Sequence, residues 1–279
     1  MRIREATILA MLGASMLTFG FPARAVERGQ SPAPTLKKLT SIDVPGPGGK
    51  RFDYLTVAAE HFLVSAHLAA GQTYVIDPRT NALVATIADT PGVEGVEYVP
   101  DLKKLYTSNS GNNTIGVVDF QTMKVIKKLP TEAKPDGNAY AAPFHKLYVS
   151  DERGKAEAIV DVRTDTIVKT LHFESETGMP QYDPVARKVY VNLQDQNIFA
   201  IIDPATDEVV GRYPVGRCQG NHGMTLDPEH HRAFLSCEGN HLMTAFNLDT
   251  RVGGKDHLTC RSRSFSDLGS PQSECVANH

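Results

Sequence analysis

The chain has 279 residues, with 29 Lys and Arg against 32 Asp and Glu, a formal net charge of −3 and no Trp. Such a balance gives no strong nucleic-acid signal, because binding a phosphate backbone rests on clustered Lys and Arg.

Arg2 and Arg4 precede an uncharged run over 6–21 that ends at Pro22-Ala23-Arg24-Ala25. A basic flank, a short apolar stretch and a small-x-small site predict a secretory signal peptide over 1–25, and with it a periplasmic or secreted protein. A permanent membrane helix is the weaker reading, since a span needs about 20 apolar residues. Cleavage after Ala25 removes three of the 29 basic residues and one of the 32 acidic ones, leaving 26 against 31, a net charge of −5 and no membrane span. Residues 26–35 are polar and Pro-containing and read as a flexible lead-in.

From there one phrase recurs: Val-Ile-Asp77-Pro-Arg-Thr80, Val-Val-Asp119-Phe-Gln-Thr122, Ile-Val-Asp161-Val-Arg-Thr164 and Ile-Ile-Asp203-Pro-Ala-Thr206, each 42 residues after the last. A weaker copy at Asn247-Leu-Asp-Thr250 follows 44 residues later, and an aromatic column at Tyr106, Tyr148, Tyr190 and Phe234 keeps the same beat. A fixed period in the low forties is that of a four-stranded propeller blade, which cannot bury both its faces alone. The fold class read from the repeat is therefore all-β: a β-propeller of four-stranded blades. About five are present, near 52–87, 95–129, 137–171, 179–213 and, incomplete, 223–250. The recurrent Asp, followed three residues on by Thr, suits a side-chain-capped turn between third and fourth strands, not catalysis.

The Gly-His and Trp-Asp marks of WD40 blades are absent. Leu-Tyr-Thr-Ser-Asn109, Leu-Tyr-Val-Ser-Asp151 and Val-Tyr-Val-Asn192, each followed by the Val-Asp-x-x-Thr phrase, resemble the YVTN-repeat, YncE-like family of exported bacterial propellers. The resemblance covers about 36–250 and implies a seven-bladed, commonly exported parent architecture without one agreed reaction. Single-stranded nucleic-acid binding has that resemblance alone behind it.

The ends are less regular. Residues 36–44 read as a fourth strand arriving before its own blade. They would complete the blade begun near 223 and close a five-bladed ring; otherwise the ring stays open with apolar faces exposed. After Thr250 the alternation stops, and 251–279 is rich in Ser, Arg, Cys and His. It reads either as a disordered natural tail or as the product of a truncation or reading-frame change that removed about two blades. The mid-blade break favours the second reading.

Loops leading into first strands and loops joining second to third strands share one face of a propeller, around its channel. They supply the ligand-binding candidates Asp53, His67, Glu94, Glu97, Asn109, Asp136, Asn138, Asp151, Gln181, Asn221 and His222, with Gln194 and Glu238 beside them. Glu94, Asp136, Gly178 and His222 occupy one column yet differ in chemistry, the divergence a scaffold shows where it carries an individual site. Cys218-x-x-x-His222 and Cys237-x-x-x-His241 form the sharpest constellation. In an oxidising compartment a Cys218–Cys237 disulfide is the plainer reading, with free thiols or a metal held by Cys218, His222, Cys237 and His241 as alternatives.

No Gly-x-Ser-x-Gly elbow, phosphate-binding loop or Cys-x-x-Cys-His is present. The primary functional reading is thus a non-catalytic exported propeller whose channel-face loops bind a small molecule, a peptide or an envelope protein, with no cofactor. The alternative is a lactonase-like propeller hydrolase with a divalent metal in the central channel. There Glu94 or Glu97, Asn138 and Asn221 would be oxygen ligands, and Asp136 or His222 the base.

Overall fold

A capped turn every 42 residues between β-branched runs dictates short antiparallel strands, and the computed structural model consists of them. It describes residues 37–47, 52–260 and 275–278. The expected signal peptide over 1–25, the lead-in over 26–35 and residues 261–274 of the tail lie outside the described residues. The chain divides into two compact units, Met1–Thr40 and Ser41–His279, and every strand among the described residues belongs to the second.

Blade 1 consists of Leu55–Ala58 (β1), Phe62–His67 (β2), Gln72–Asp77 (β3) and Ala82–Ile87 (β4). Blade 2 follows with Val93–Val99 (β5), Lys104–Asn109 (β6), Thr114–Asp119 (β7) and Lys124–Pro130 (β8). Blade 3 has Pro135–Ala141 (β9), Lys146–Asp151 (β10), Ala156–Asp161 (β11) and Thr166–His172 (β12). Blade 4 has Thr177–Asp183 (β13), Lys188–Leu193 (β14), Ile198–Asp203 (β15) and Glu208–Pro214 (β16). Blade 5 has Asn221–Asp227 (β17), Arg232–Cys237 (β18), Leu242–Asn247 (β19) and Val252–Cys260 (β20), with Cys275–Asn278 (β21) added at its outer edge. Each blade is an antiparallel meander. No helix among the described residues is long and apolar enough to cross a membrane.

The ends of the repeat depart from expectation. Residues 37–44 carry no strand; the fourth strand of blade 5 is β20, which pairs with β19 from Leu242↔Thr259 to Asn247↔Val252. Outermost strands are half-solvated, as the alternating burial of β16 shows, so a fourth strand needs no continuous apolar run. That is why the glycine-bearing start of β20 escaped a reading based on alternation.

The turn prediction is realised in detail. Asp77, Asp119, Asp161 and Asp203 each accept a backbone N–H from two residues on, at Arg79, Gln121, Arg163 and Ala205. Asn247 does the same for Asp249.

Apolar side chains from facing blades interdigitate. Val64, Ala66 and Val75 meet Leu105 and Val118 between blades 1 and 2; Tyr106, Ile115 and Val117 meet Leu147, Val149 and Val160 between blades 2 and 3. The next two interfaces repeat the arrangement, with Tyr148 and Ile159 against Val189 and Ile202, and Phe199 and Tyr190 against Leu235 and Phe246. Polar clamps reinforce two of them. The Tyr106 hydroxyl donates to Asp165 Oδ1 at 2.5 Å while Lys104 Nζ lies 2.7 Å from Asp165 Oδ2. Tyr148 and Lys146 hold Asp207 in the next blade in the same way, each at 2.7 Å. Inner strands pack in series, β1 on β5, β5 on β9, β9 on β13 and β13 on β17. On β1, Leu55 and Val57 stay more than half exposed.

Candidate functional site

Inner strands approach the axis through irregular register. Two residues of β5, Glu94 and Gly95, stand opposite the single residue Ser108 between the pairs Val93↔Asn109 and Val96↔Thr107. Asp136-Gly137 opposite Ser150, and His222-Gly223 opposite Ser236, repeat this in blades 3 and 5. A two-against-one irregularity bends the strand and re-aims its side chains. The glycine permits close backbone approach, since a Cβ on Gly95 would overlap the carbonyl oxygen of Asp136.

These stretches deliver one cluster. Donor atoms of Asp136, Glu152 and His222 all lie within 4.8 Å of one another. Lys134 Nζ hydrogen-bonds Glu152 Oε2 and stands 3.9 Å from both Glu94 Oε2 and Asp136 Oδ2. His222 Nδ1 is 3.2 Å from Glu238 Oε1. Asp136 is 3% exposed, and its Oδ1 has no hydrogen-bond partner; the buried Tyr54 hydroxyl and Asn138 Oδ1 have none either.

Crowding of acids sets the ionisation. Burial, and after it the charges of Glu94 and Glu152, pushes Asp136 well above the usual carboxylate range. Burial works to raise Glu152 too, but hydrogen bonds with Asp136 and Lys134 outweigh it and hold Glu152 low. The two carboxyls are thus pushed in opposite directions, as expected for neighbouring acids that cannot both ionise cheaply. Burial alone would lower His222, yet its contact with Glu238 and the Glu152 charge bring it above the usual imidazole range. Burial, then Asp136, Asp53, Glu152 and Glu94, keeps the Tyr54 phenol neutral.

Of the residues expected from sequence, Glu94, Asp136 and His222 therefore meet in one cluster, and Asp53 contributes its charge to it. Others serve the scaffold. Asn109 and Asp151 are fully buried; Asn109 donates to Thr114, and Asp151 accepts from the Thr131 hydroxyl and the Glu132 N–H. Gln181 bridges blades by donating to the Met224 carbonyl and accepting from the Leu226 N–H. Asn221 donates to Asn192 and to the Ile198 carbonyl, and Asn138 to Ser108. His67 is buried beneath Phe52, stacked at 4.3 Å, with its Nδ1 3.2 Å from the Tyr74 hydroxyl. Glu97 lies outside the cluster's contacts, and burial lifts its carboxyl to about 8.

Three members escaped the sequence reading: Tyr54, Lys134 and Glu152. Glu152 follows Asp151, and register places it in a column with Ser110, Gln194 and Glu238. Asn109 and Asp151 belong instead with Leu193 and Cys237. A one-residue slip moves a side chain to the other face of a strand, so the sequence columns mixed the buried face with the channel face.

Cys218 and Cys237 form a disulfide. Both sulfurs are thereby consumed, so the four-ligand metal set of Cys218, His222, Cys237 and His241 does not assemble. His222 turns to Glu238, and His241 is exposed.

The chain matches no family model and no curated protein sequence. Among solved structures it is similar to dihydro-heme d1 dehydrogenase NirN in complex with DHE, with a TM-score of 0.61 and 13% identity over 72% of this chain and 44% of that one. At this identity the likeness concerns the fold alone, and with the five blades it makes this chain a β-propeller.

Proposed function

We propose that this chain is an exported, non-catalytic binding propeller of the YncE-like, YVTN-repeat kind, whose channel face takes a small polar molecule or a polar side chain of a peptide or envelope protein. One observation carries the reading: blades 1, 2, 3 and 5 converge on a buried cluster that leaves Asp136 Oδ1 and the Tyr54 hydroxyl without hydrogen bonds. Buried polar atoms are nearly always satisfied, and an incoming ligand would satisfy these. Export is supported by the sequence pattern over 1–25 and by the Cys218–Cys237 disulfide, which suits an oxidising compartment. The test is a thermal-shift screen of the mature chain against small amines, sugars, carboxylates and dipeptides, repeated on Glu152→Gln. A ligand that raises the wild-type Tm and leaves Glu152→Gln unmoved supports the site. A hit that stabilises both chains equally, or the absence of any hit, rejects the binding of a small organic molecule there.

The hydrolase alternative is favoured by one separate observation, the three donor atoms of Asp136, Glu152 and His222 within 4.8 Å. It requires metal-dependent turnover of lactones or esters. Absence of turnover with zinc, manganese or calcium present leaves the binding reading in place.

A further inference from the structure

We infer that Asp136, Glu152 and His222 form a site for one divalent transition-metal ion of the zinc type, and that Lys134 is a built-in cation that competes for it. The inference rests on the channel-face reading and names the partner of that same cluster.

The donor set comes first. One imidazole and two carboxylates are ligands for zinc and its neighbours, whereas calcium and magnesium take sets built from oxygen alone. With bonds of about 2.0–2.1 Å, donors on a tetrahedral ion stand about 3.4 Å apart. The donors here already lie within 4.8 Å, so modest side-chain movements close the set. Three protein ligands leave a coordination position open to water or a bound molecule.

An independent observation points to the same ligand. Asp136 is 3% exposed and its Oδ1 has no hydrogen-bond partner. A buried carboxyl oxygen left unpaired is costly, and coordination removes that cost. The outer contacts fit as well. Glu238 Oε1 lies 3.2 Å from His222 Nδ1 and leaves Nε2 to the ion, the carboxylate–histidine arrangement that orients metal ligands.

Lys134 already places one positive charge among these acids. Its ammonium pairs with Glu152 and sits 3.9 Å from Glu94 and Asp136, where a metal's charge would be felt. Its side chain is 23% exposed, so it has a route outward when an ion enters. Removing its charge should therefore tighten metal binding, the opposite of what loss of a ligand does.

The test is calorimetric titration of the EDTA-stripped, dialysed mature chain with zinc chloride at pH 7.5. We expect one ion per chain, affinity at least about tenfold weaker in Glu152→Gln and His222→Gln, and affinity several-fold tighter in Lys134→Met. Exposed His230 and His231, paired with Asp227 and Asp249, are the natural adventitious site, and the double variant His230→Ala/His231→Ala should bind as wild type. Absence of one-to-one binding, its loss in the double variant, or unchanged affinity in His222→Gln overturns the inference. Should a ligand variant fail to fold by far-UV circular dichroism, the visible spectrum of cobalt(II) on the wild type decides. Intense d–d bands titrating to one equivalent, and appearing at lower cobalt in Lys134→Met, support the site; their absence rejects it. The amine, sugar, carboxylate and dipeptide screen run in EDTA separates the two readings. Hits there with no zinc binding overturn the metal alone, whereas silence in both rejects the channel-face site altogether.

Discussion

The clamp between blades offers the sharpest quantitative test of how this repeat becomes a fold. Asp165 accepts from the Tyr106 hydroxyl at 2.5 Å and from Lys104 Nζ at 2.7 and 2.8 Å, with Lys104 and Asp165 side chains 18% and 15% exposed. Replacing Asp165 by Ala removes charge-assisted bonding to two groups on the preceding blade, Tyr106 and Lys104. Hydrogen bonds to charged partners contribute about 1.5–3 kcal/mol each when sheltered. The buried Tyr106 hydroxyl keeps a 3.3 Å contact to the Val162 carbonyl, which softens its loss. Asp165 also has φ near 52°, a conformation Ala adopts less readily than Asp. Two such bonds come to about 3–6 kcal/mol, and the retained Tyr106 contact brings the cost to about 2–4 kcal/mol, a fall in Tm of roughly 4–16 °C at about 2–4 °C per kcal/mol for a domain of this size. Asn81→Ala is the control, because Asn81 occupies the equivalent turn at φ 55° in blade 1, ahead of which no blade stands among the described residues. Scanning calorimetry of Asp165→Ala, Tyr106→Phe and the double variant isolates the pair, and a coupling of at least about 1 kcal/mol is expected for groups in direct contact. An Asp165→Ala that costs no more than Asn81→Ala, or a cycle with no coupling, would refute the claim that polar clamps fix the blades.

Two further outcomes follow from the same structure. The Cys218–Cys237 disulfide closes a separation of 19 residues, for which chain-entropy arguments give about 3 kcal/mol; Cys218→Ser/Cys237→Ser should melt well below wild type, and an unchanged Tm would show that the bridge contributes nothing. Burial raises Glu97 from 4.5 to about 8 in the folded chain, so its contribution is fully present below about pH 4.5 and is lost as pH rises through about 8. Wild-type Tm should fall between pH 5 and 9, and Glu97→Gln should flatten that decline. Asp151, lifted by burial to about 7, keeps some slope in the variant, but parallel curves for the two chains would contradict the assignment.

How much of this was legible in the sequence depends on what each residue answers to. The period of 42 and the capping aspartates were readable because every blade meets the same local demand, a tight turn after a buried strand. Tyr106 and Tyr148 were visible as a column, yet their partners Asp165 and Asp207 were not, because the clamp spans 59 residues and joins different blades. The fourth strand of blade 5 was missed for a related reason: an outermost strand is held by backbone pairing to its neighbour, which imposes little on side chains. Within the site, the column of Glu94, Asp136 and His222 was readable from divergence at equivalent positions. Lys134 and Glu152 were not, since assigning them needed the register that separates the buried face of β10 from its channel end.

The site and the scaffold obey different rules in the same strands. Clamp residues pair acid with base, as in Lys104–Asp165 and Lys146–Asp207, and leave little unmatched. The cluster at the opposite face gathers five acidic side chains, Asp53, Glu94, Asp136, Glu152 and Glu238, around one lysine and one histidine, Lys134 and His222. Two shared features of the fold make this tolerable. The irregular register at Glu94-Gly95, Asp136-Gly137 and His222-Gly223 brings backbones close enough to aim side chains inward, while the blade interfaces carry the packing that offsets the crowding. Glu94 and Asp136 beside Lys134 are thus a local conflict of the kind that functional sites carry, and the binding reading proposed above stands or falls with its ligand tests.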